Sequence, residues 1–373
     1  VTPAGARSIP FFDYSSVFTT DEEELVRIFR DVGRRGAFIL QQDLERFEHH
    51  LASFLGARHT LGVGNATDGL LIALRAAGIG PGVEVIFCSH TMVATAAAIH
   101  FSGATPVAVE CGPDHLIDPG AAASAVTSRT RAILVTQLNG RTADMDALAE
   151  IVRRHGLVLI EDAAQALGAR FQGRCAGTFG ELAAFSFYPA KNLGCLGDGG
   201  AVATNETGSY QRAVSLRNHG KSAEGEMIAW GWNSRLDNLQ AAILDHRLSS
   251  YPDVIGRRRS IAARYQERLA DLDELILPPA PGADPRRFDV FQNYELEAES
   301  RDALRRYLET RGIGTLIPWG GKAVHQWERL GLQVKLPRTE KLFEKLLLLP
   351  LNLSLSGDDI NFIADAVRAF YRR

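Results

Sequence analysis

Between residues 60 and 205, short apolar runs alternate with helical patterns, and this alternation limits the fold more than any other feature of the chain. Residues 84–89, 105–110, 131–136, 157–162 and 182–187 read as strands, with helical patterns over 70–77, 91–101 and 143–155 among them. Strands that are apolar almost throughout are covered on both faces, which implies an α/β fold with a mostly parallel sheet and crossover helices. Such sheets take ligands beyond the carboxyl ends of their strands. After about residue 248 the texture changes. A basic helix over 257–272, with Arg257 to Arg259 as a solvated end, leads into the proline-rich 277–282. Strands over 291–296 and 315–318 and helices over 301–310 and 358–371 then make a smaller α+β unit. The expected division is a large domain over 1–248 and a small C-terminal domain over 249–373.

Net charge and composition remove several function classes. A chain of 373 residues, 46% hydrophobic and 23% charged, has the makeup of an ordinary soluble globular protein. A net charge of -3 gives no footprint for nucleic acid or an anionic membrane. The apolar stretch 91–99 falls far short of the roughly 20 residues that a membrane span needs. The first residues show no basic region, apolar core or cleavage site, so a cytoplasmic location is expected. Cys88, Cys111, Cys175 and Cys195 are scattered and read as free thiols, and no metal site is expected.

Lys191 is the residue with the clearest chemistry. It lies in Ser-Phe-Tyr-Pro-Ala-Lys-Asn-Leu-Gly (186–194), between an apolar strand and a glycine-rich turn. A lysine becomes a nucleophile when burial lowers its pKa, because only the neutral amine attacks a carbonyl. The carbonyl that fits is the aldehyde of pyridoxal 5'-phosphate (PLP), whose lysine site needs a carboxylate for the ring nitrogen and a cradle for the phosphate. Asp162 ends a strand at the ligand edge and meets the first need, although Asp at such a junction also serves as a helix N-cap. Gly-Val-Gly-Asn-Ala-Thr-Asp-Gly (62–69) precedes a helix whose free amides suit a phosphate, although an ordinary turn capped by Thr67 or Asp68 reads the same way. Ser186 adds a hydroxyl near that phosphate or is satisfied within its strand.

Taken with Glu-Asp-Ala-Ala-Gln-Ala-Leu-Gly (161–168), Gly-Asp-Gly-Gly-Ala-Val (197–202), Leu-Arg-Asn-His-Gly (216–220) and Gly-Trp-Asn-Ser-Arg-Leu-Asp-Asn-Leu-Gln-Ala-Ala (231–242), these blocks resemble the DegT/StrS family of sugar aminotransferases. The resemblance runs from about Ile9 to Tyr371. It implies a fold-type I PLP-dependent transferase that works as a homodimer with shared active sites. Lys191 is then the Schiff-base lysine and Asp162 the partner of the ring nitrogen. Gln165 faces the phenolic oxygen, while Ala66, Thr67 and Ser186 hold the phosphate. Asn233 reaches that phosphate from the second subunit. Arg235 is a candidate for a donor carboxylate or a member of a structural ion pair. Relatives that dehydrate carry histidine in place of this lysine, so Lys191 favours transamination. The implied reaction moves an amino group from L-glutamate or L-glutamine to a nucleotide-linked keto-deoxysugar, at C3 rather than C4 from the 233–237 block.

The chain departs from the family pattern in three places, one of them Gln-Asn-Tyr (292–294), where many relatives carry His-Gln-Tyr. Met92 stands where relatives carry an aromatic residue on the cofactor ring; a thioether packs against a ring edge, or the residue belongs to the core. Residues 317–327, Ile-Pro-Trp-Gly-Gly-Lys-Ala-Val-His-Gln-Trp, replace a tyrosine- and proline-rich stretch, making Trp319, Lys322 and His325 candidates for substrate contact, with a core aromatic and a solvated lysine as the other reading of the first two. Three other activities fit parts of the pattern: a keto-inositol aminotransferase of aminoglycoside biosynthesis, a PLP-dependent dehydratase, and a non-catalytic PLP-binding regulatory protein.

Overall fold

The structure, a computed structural model, describes residues 7–372. Residues 1–6 and 373, at the outer ends of the two expected domains, lie outside the described residues. A seven-stranded sheet forms the centre, in the order His59–Val63, Gly200–Thr204, Leu182–Ser186, Val158–Asp162, Thr130–Thr136, Glu84–Cys88, Thr105–Val109. The last five strands of that order pair in parallel. Gly200–Thr204 runs antiparallel to both of its neighbours. This reversed strand follows because residues 187–199 turn the chain straight back from Ser186, without the crossover helix that a parallel connection needs.

Helices cover both faces. Ala66–Ala76 and Val93–Phe101 pack with Leu61, Val85, Leu134 and Val202 in one apolar layer. On the other face, Gln42–Leu55 and Asn238–Leu248 place Phe47, Leu51 and Leu244 against Phe185, Phe187 and Ala203. A second sheet, in the order Leu275–Ile276, Tyr294–Ala298, Leu346–Leu349, carries Arg301–Thr310 and Gly357–Tyr371 on one face. Ile9 joins this core and bridges to Ile313. The long helix Tyr251–Leu269 connects the layers, with Ile255 in the first core and Ile261 and Tyr265 in the second.

Three expectations need correction. Residues 315–318 form no strand: Leu316 makes a single bridge to Leu348, and Pro318–Gly321 is a short 3-10 turn with Trp319 at φ 48°. Phe291, at φ 52°, kinks the chain, so the neighbouring strand starts only at Tyr294. Arg257 to Arg259 are not a helix end, because the helix extends six residues further back; Arg257 stays exposed, but Arg258 is buried and Arg259 half-buried, and each of the three donates to a backbone carbonyl. All four cysteines are free and buried. Among the described residues no helix is long and apolar enough to cross a membrane.

Candidate active site

Asp162 is the last residue of its strand, and the two-residue period of the strand turns it away from its neighbour Glu161. Glu161 accepts from the amides of Gly177, Phe179 and Gly180 and anchors the far side. Asp162 is 5% exposed. Its Oδ2 accepts from Thr95 Oγ1 at 2.6 Å and its Oδ1 from the Ala164 amide at 3.2 Å. Thr95 and Thr91 hydroxyls lie 2.8 Å apart, and Thr91 and Thr136 3.0 Å. The Thr95 proton goes to the carboxylate, so Thr91 must donate to Thr95 and Thr136 to Thr91. The donors therefore run in one direction, toward Asp162. Burial pushes the Asp162 carboxyl above its ordinary range, against the pull of Thr95, the Ala164 amide and the Lys191 charge. The N-cap alternative finds only a local turn, since residues 163–169 contain no helix.

Lys191 lies in the reversing loop, where its amide donates to Tyr188 O. Burial pushes its ammonium down to about 8, opposed by the charge of Asp162. Gln292 straddles it: Nε2 donates to Ala190 O and Oε1 accepts from the Asn192 amide, both at 2.9 Å. Arg258 in turn donates to the carbonyls of Phe291 and Gln292, each at 2.8 Å. Thr95 and Arg258 are candidate site residues that the sequence reading missed, and Gln292, there only a departure from the family pattern, gains its place beside Lys191 here.

The segment expected to hold a phosphate is built from glycine and a helix start. Helix Ala66–Ala76 begins four residues earlier than expected, and its cap is Asn65, which accepts from the Asp68 amide at 2.9 Å, rather than Thr67 or Asp68. Ala66 and Thr67 then occupy the first turn, where amides have no carbonyl one turn back. Gly200 packs against this start, and a Cβ there would lie 2.6 Å from the Asn65 carbonyl carbon and 2.8 Å from the Ala66 nitrogen. Gly200→Ala is therefore expected to shift the loop and raise the Kd for PLP by about 10- to 100-fold, measured by fluorescence titration of the apo protein.

The other candidates separate. Gln165 Oε1 accepts from the Asn139 amide at 2.8 Å, which leaves its Nε2 for a ligand. Ser186 Oγ is 3.4 Å from the Tyr188 amide. A cavity of ≈ 570 Å³ is lined by Gln165, Lys191, Asn293 and Trp319, among others, and one of ≈ 280 Å³ also reaches Lys191. Met92 is half exposed at the start of helix Val93–Phe101, and its sulfur accepts from the Ala94 amide. Asn233 is exposed and bridges to Asn218, and Arg235 donates to Asn218 Oδ1 at 3.2 Å, with no acid paired to it among the described residues. Lys322 lies over the Trp327 ring, and His325 is buried between Ser89 Oγ at 2.7 Å and Glu340 at 3.3 Å. The lining of neither cavity includes Lys322 or His325.

A half-buried amine with no hydrogen-bond partner among the described residues, a buried carboxylate fed by oriented donors and a helix start with free amides thus share one edge of the sheet. These features fit PLP. Residues 19–368 match the DegT/DnrJ/EryC1/StrS aminotransferase family. The chain belongs to that family. It is 42% identical over 371 residues to the dTDP-3-amino-3,4,6-trideoxy-alpha-D-glucose transaminase of Streptomyces venezuelae, covering 98% of this chain and 97% of the relative. A "pleiotropic regulatory protein" of Geobacillus stearothermophilus is 37% identical over 370 residues, 98% of this chain and 99% of the relative. The crystal structure of S. venezuelae DesV, in complex with a ketimine intermediate, superposes with a TM-score of 0.94 at 41% identity, covering 98% and 99% of the two chains. That of NtdA from Bacillus subtilis, with bound cofactor PMP, gives 0.92 at 28% identity, covering 100% of this chain and 87% of the other. As a member of this family the protein is a PLP-dependent sugar aminotransferase.

Proposed function

We propose that the protein moves an amino group from L-glutamate to a nucleotide-linked keto-deoxysugar, at C3 in preference to C4. The convergence of Lys191, Asp162 and the helix start at Ala66 on one sheet edge carries the chemistry. The 3-amino product in the name of the Streptomyces relative supports C3. When bound, PLP supplies an aldehyde that captures amines and a ring that draws electrons from the substrate carbon. The Ala66 and Thr67 amides with the Ser186 hydroxyl hold its phosphate, joined by Asn233 of the partner subunit in a homodimer. Met92 packs at the ring, and the Gln165 amide faces the phenolic oxygen. Asp162 keeps a proton on the ring nitrogen. Lys191 would hold the cofactor through its neutral amine, and its Nζ, when free, would serve as the base that takes the proton from the substrate carbon and as the acid that gives it back. Trp319 meets the acceptor in this reading, which its place in the wall of the larger cavity supports. Residues 1–248 and 249–373 serve as cofactor and covering domains.

The pH dependence of cofactor capture follows from Lys191. Its amine is neutral above a pKa of about 8, so the rate of covalent PLP uptake by the apo protein rises with pH and levels off above that value. Stopped-flow absorbance across pH 6 to 10 is the check, and a rate independent of pH would contradict the assignment.

The substrate reading is tested by running the second half-reaction backwards. PLP-loaded protein is expected to lose its visible band with dTDP-linked 3-amino-6-deoxyhexoses and to keep it with the 4-amino isomers. Conversion of the 4-amino compounds alone would overturn C3. Conversion by an amino-inositol alone would favour the cyclitol reading. The name of the Geobacillus relative raises a regulatory reading, which predicts a PLP band that no amino donor changes.

A further inference from the structure

We propose that Arg258 is the anchor for the carboxylate of the amino donor. This assignment rests on the transamination reading above. Arg258 is 4% exposed, yet no carboxylate pairs with it among the described residues. The other buried arginines behave differently: Arg141 lies 3.2 Å from Asp289, and Arg217 lies 2.7 Å from Glu48. A buried guanidinium without a counter-charge is costly, and such groups are retained where an anion comes to them. Its Nε and one terminal nitrogen are held by the Phe291 and Gln292 carbonyls. Those bonds fix the plane of the fork and leave Nη1 without a partner among the described residues.

Position selects the ligand. Arg258 lines both the ≈ 570 Å³ and the ≈ 280 Å³ cavities, and Lys191 is in the wall of each. It is tied to the lysine loop, because the Gln292 whose carbonyl it holds bonds the residues on either side of Lys191. An amino acid carries its α-carboxylate one bond from the reacting carbon. A diphosphate is separated from a keto carbon by part of the sugar ring and the glycosidic oxygen. The oxyanion that reaches this arginine while its neighbouring carbon reaches Lys191 is therefore the carboxylate. Arg235, the other candidate, donates to Asn218 and lines neither cavity.

The test compares wild type, Arg258→Met and Arg258→Lys, each loaded with PLP and checked for its visible band and melting temperature. Half-saturation by L-glutamate in the single-turnover spectral change is read beside calorimetric binding of glutarate, which cannot react, and of dTDP. Losing one charge-assisted partner is expected to weaken both L-glutamate and glutarate by about 10- to 100-fold in Arg258→Met. The dTDP affinity should stay within a few-fold, and Arg258→Lys should recover part of the loss. If Arg258→Met does not fold, Arg258→Lys decides through the same split. Unchanged glutarate and L-glutamate binding in a folded variant would overturn the proposal, and so would a loss confined to dTDP, which would mark a diphosphate site. Wild type that binds glutarate but is not converted by L-glutamate would remove the donor reading while the variants still judge Arg258.

Discussion

Lys191→Ala is expected to lose covalent PLP and to slow transamination by about 10⁴-fold, the upper end of what one positioned acid–base group contributes. The size follows from its two roles, since the same amine holds the aldehyde and moves the substrate proton. Lys191→Arg is expected to fail as badly, because a guanidinium stays protonated near neutral pH. Either variant should still bind PLP non-covalently through the cradle at Ala66 and Thr67. Mass spectrometry after borohydride reduction is the check: the wild type gains the cofactor mass and the variants do not.

Asp162→Asn is expected to lower kcat by about 10²- to 10³-fold, the usual cost of removing one preorganised electrostatic partner in a closed site. An amide fills the same space and accepts from Thr95, but it does not hold a positive charge at the ring nitrogen. Stability should move the other way. Burial raises the folded pKa of Asp162 above its unfolded value, so the charged carboxylate opposes folding of the apo protein at neutral pH, and this cost falls as pH drops through the folded pKa. Apo Asp162→Asn should therefore melt no lower than apo wild type near neutral pH, while gaining less from added PLP. Thermal melts of both proteins with and without cofactor separate the two effects. Such opposed signs mark a residue kept for chemistry.

Much of this was legible in the sequence, for physical reasons. Strands buried on both faces leave continuous apolar runs, so residues 158–162 and 182–186 were placed to within a residue, and with them Asp162 and the lysine loop. The glycine-containing 62–69 segment was legible as a phosphate candidate because free amides ahead of a helix suit an anion, but the helix start was read at 70 and lies at Ala66, and the close approach of Gly200 to it was not read. What failed depends on neighbours distant in sequence. Arg258 and Arg259 read as solvated until the 289–292 loop supplies carbonyls to absorb them, while Arg257 beside them stays exposed. Thr95 is an ordinary helical threonine until the sheet brings Asp162 within 2.6 Å. Gln292 gains meaning only across a separation of one hundred residues from Asn192. His325 carries a signal by type, yet Ser89 and Glu340 occupy both of its nitrogens. Residues 315–318 have strand composition, but the glycines at 320 and 321 and the positive φ of Trp319 turn the chain there.

The most direct test of the central claim is a pair of absorption spectra of the PLP-loaded protein, taken before and after L-glutamate. The account predicts that the visible band of lysine-bound PLP disappears and an ultraviolet band of the aminated cofactor replaces it, in wild type and not in Lys191→Ala. A wild-type visible band that L-glutamate leaves unchanged, or a Lys191→Ala variant that L-glutamate converts as fast as wild type, would contradict it.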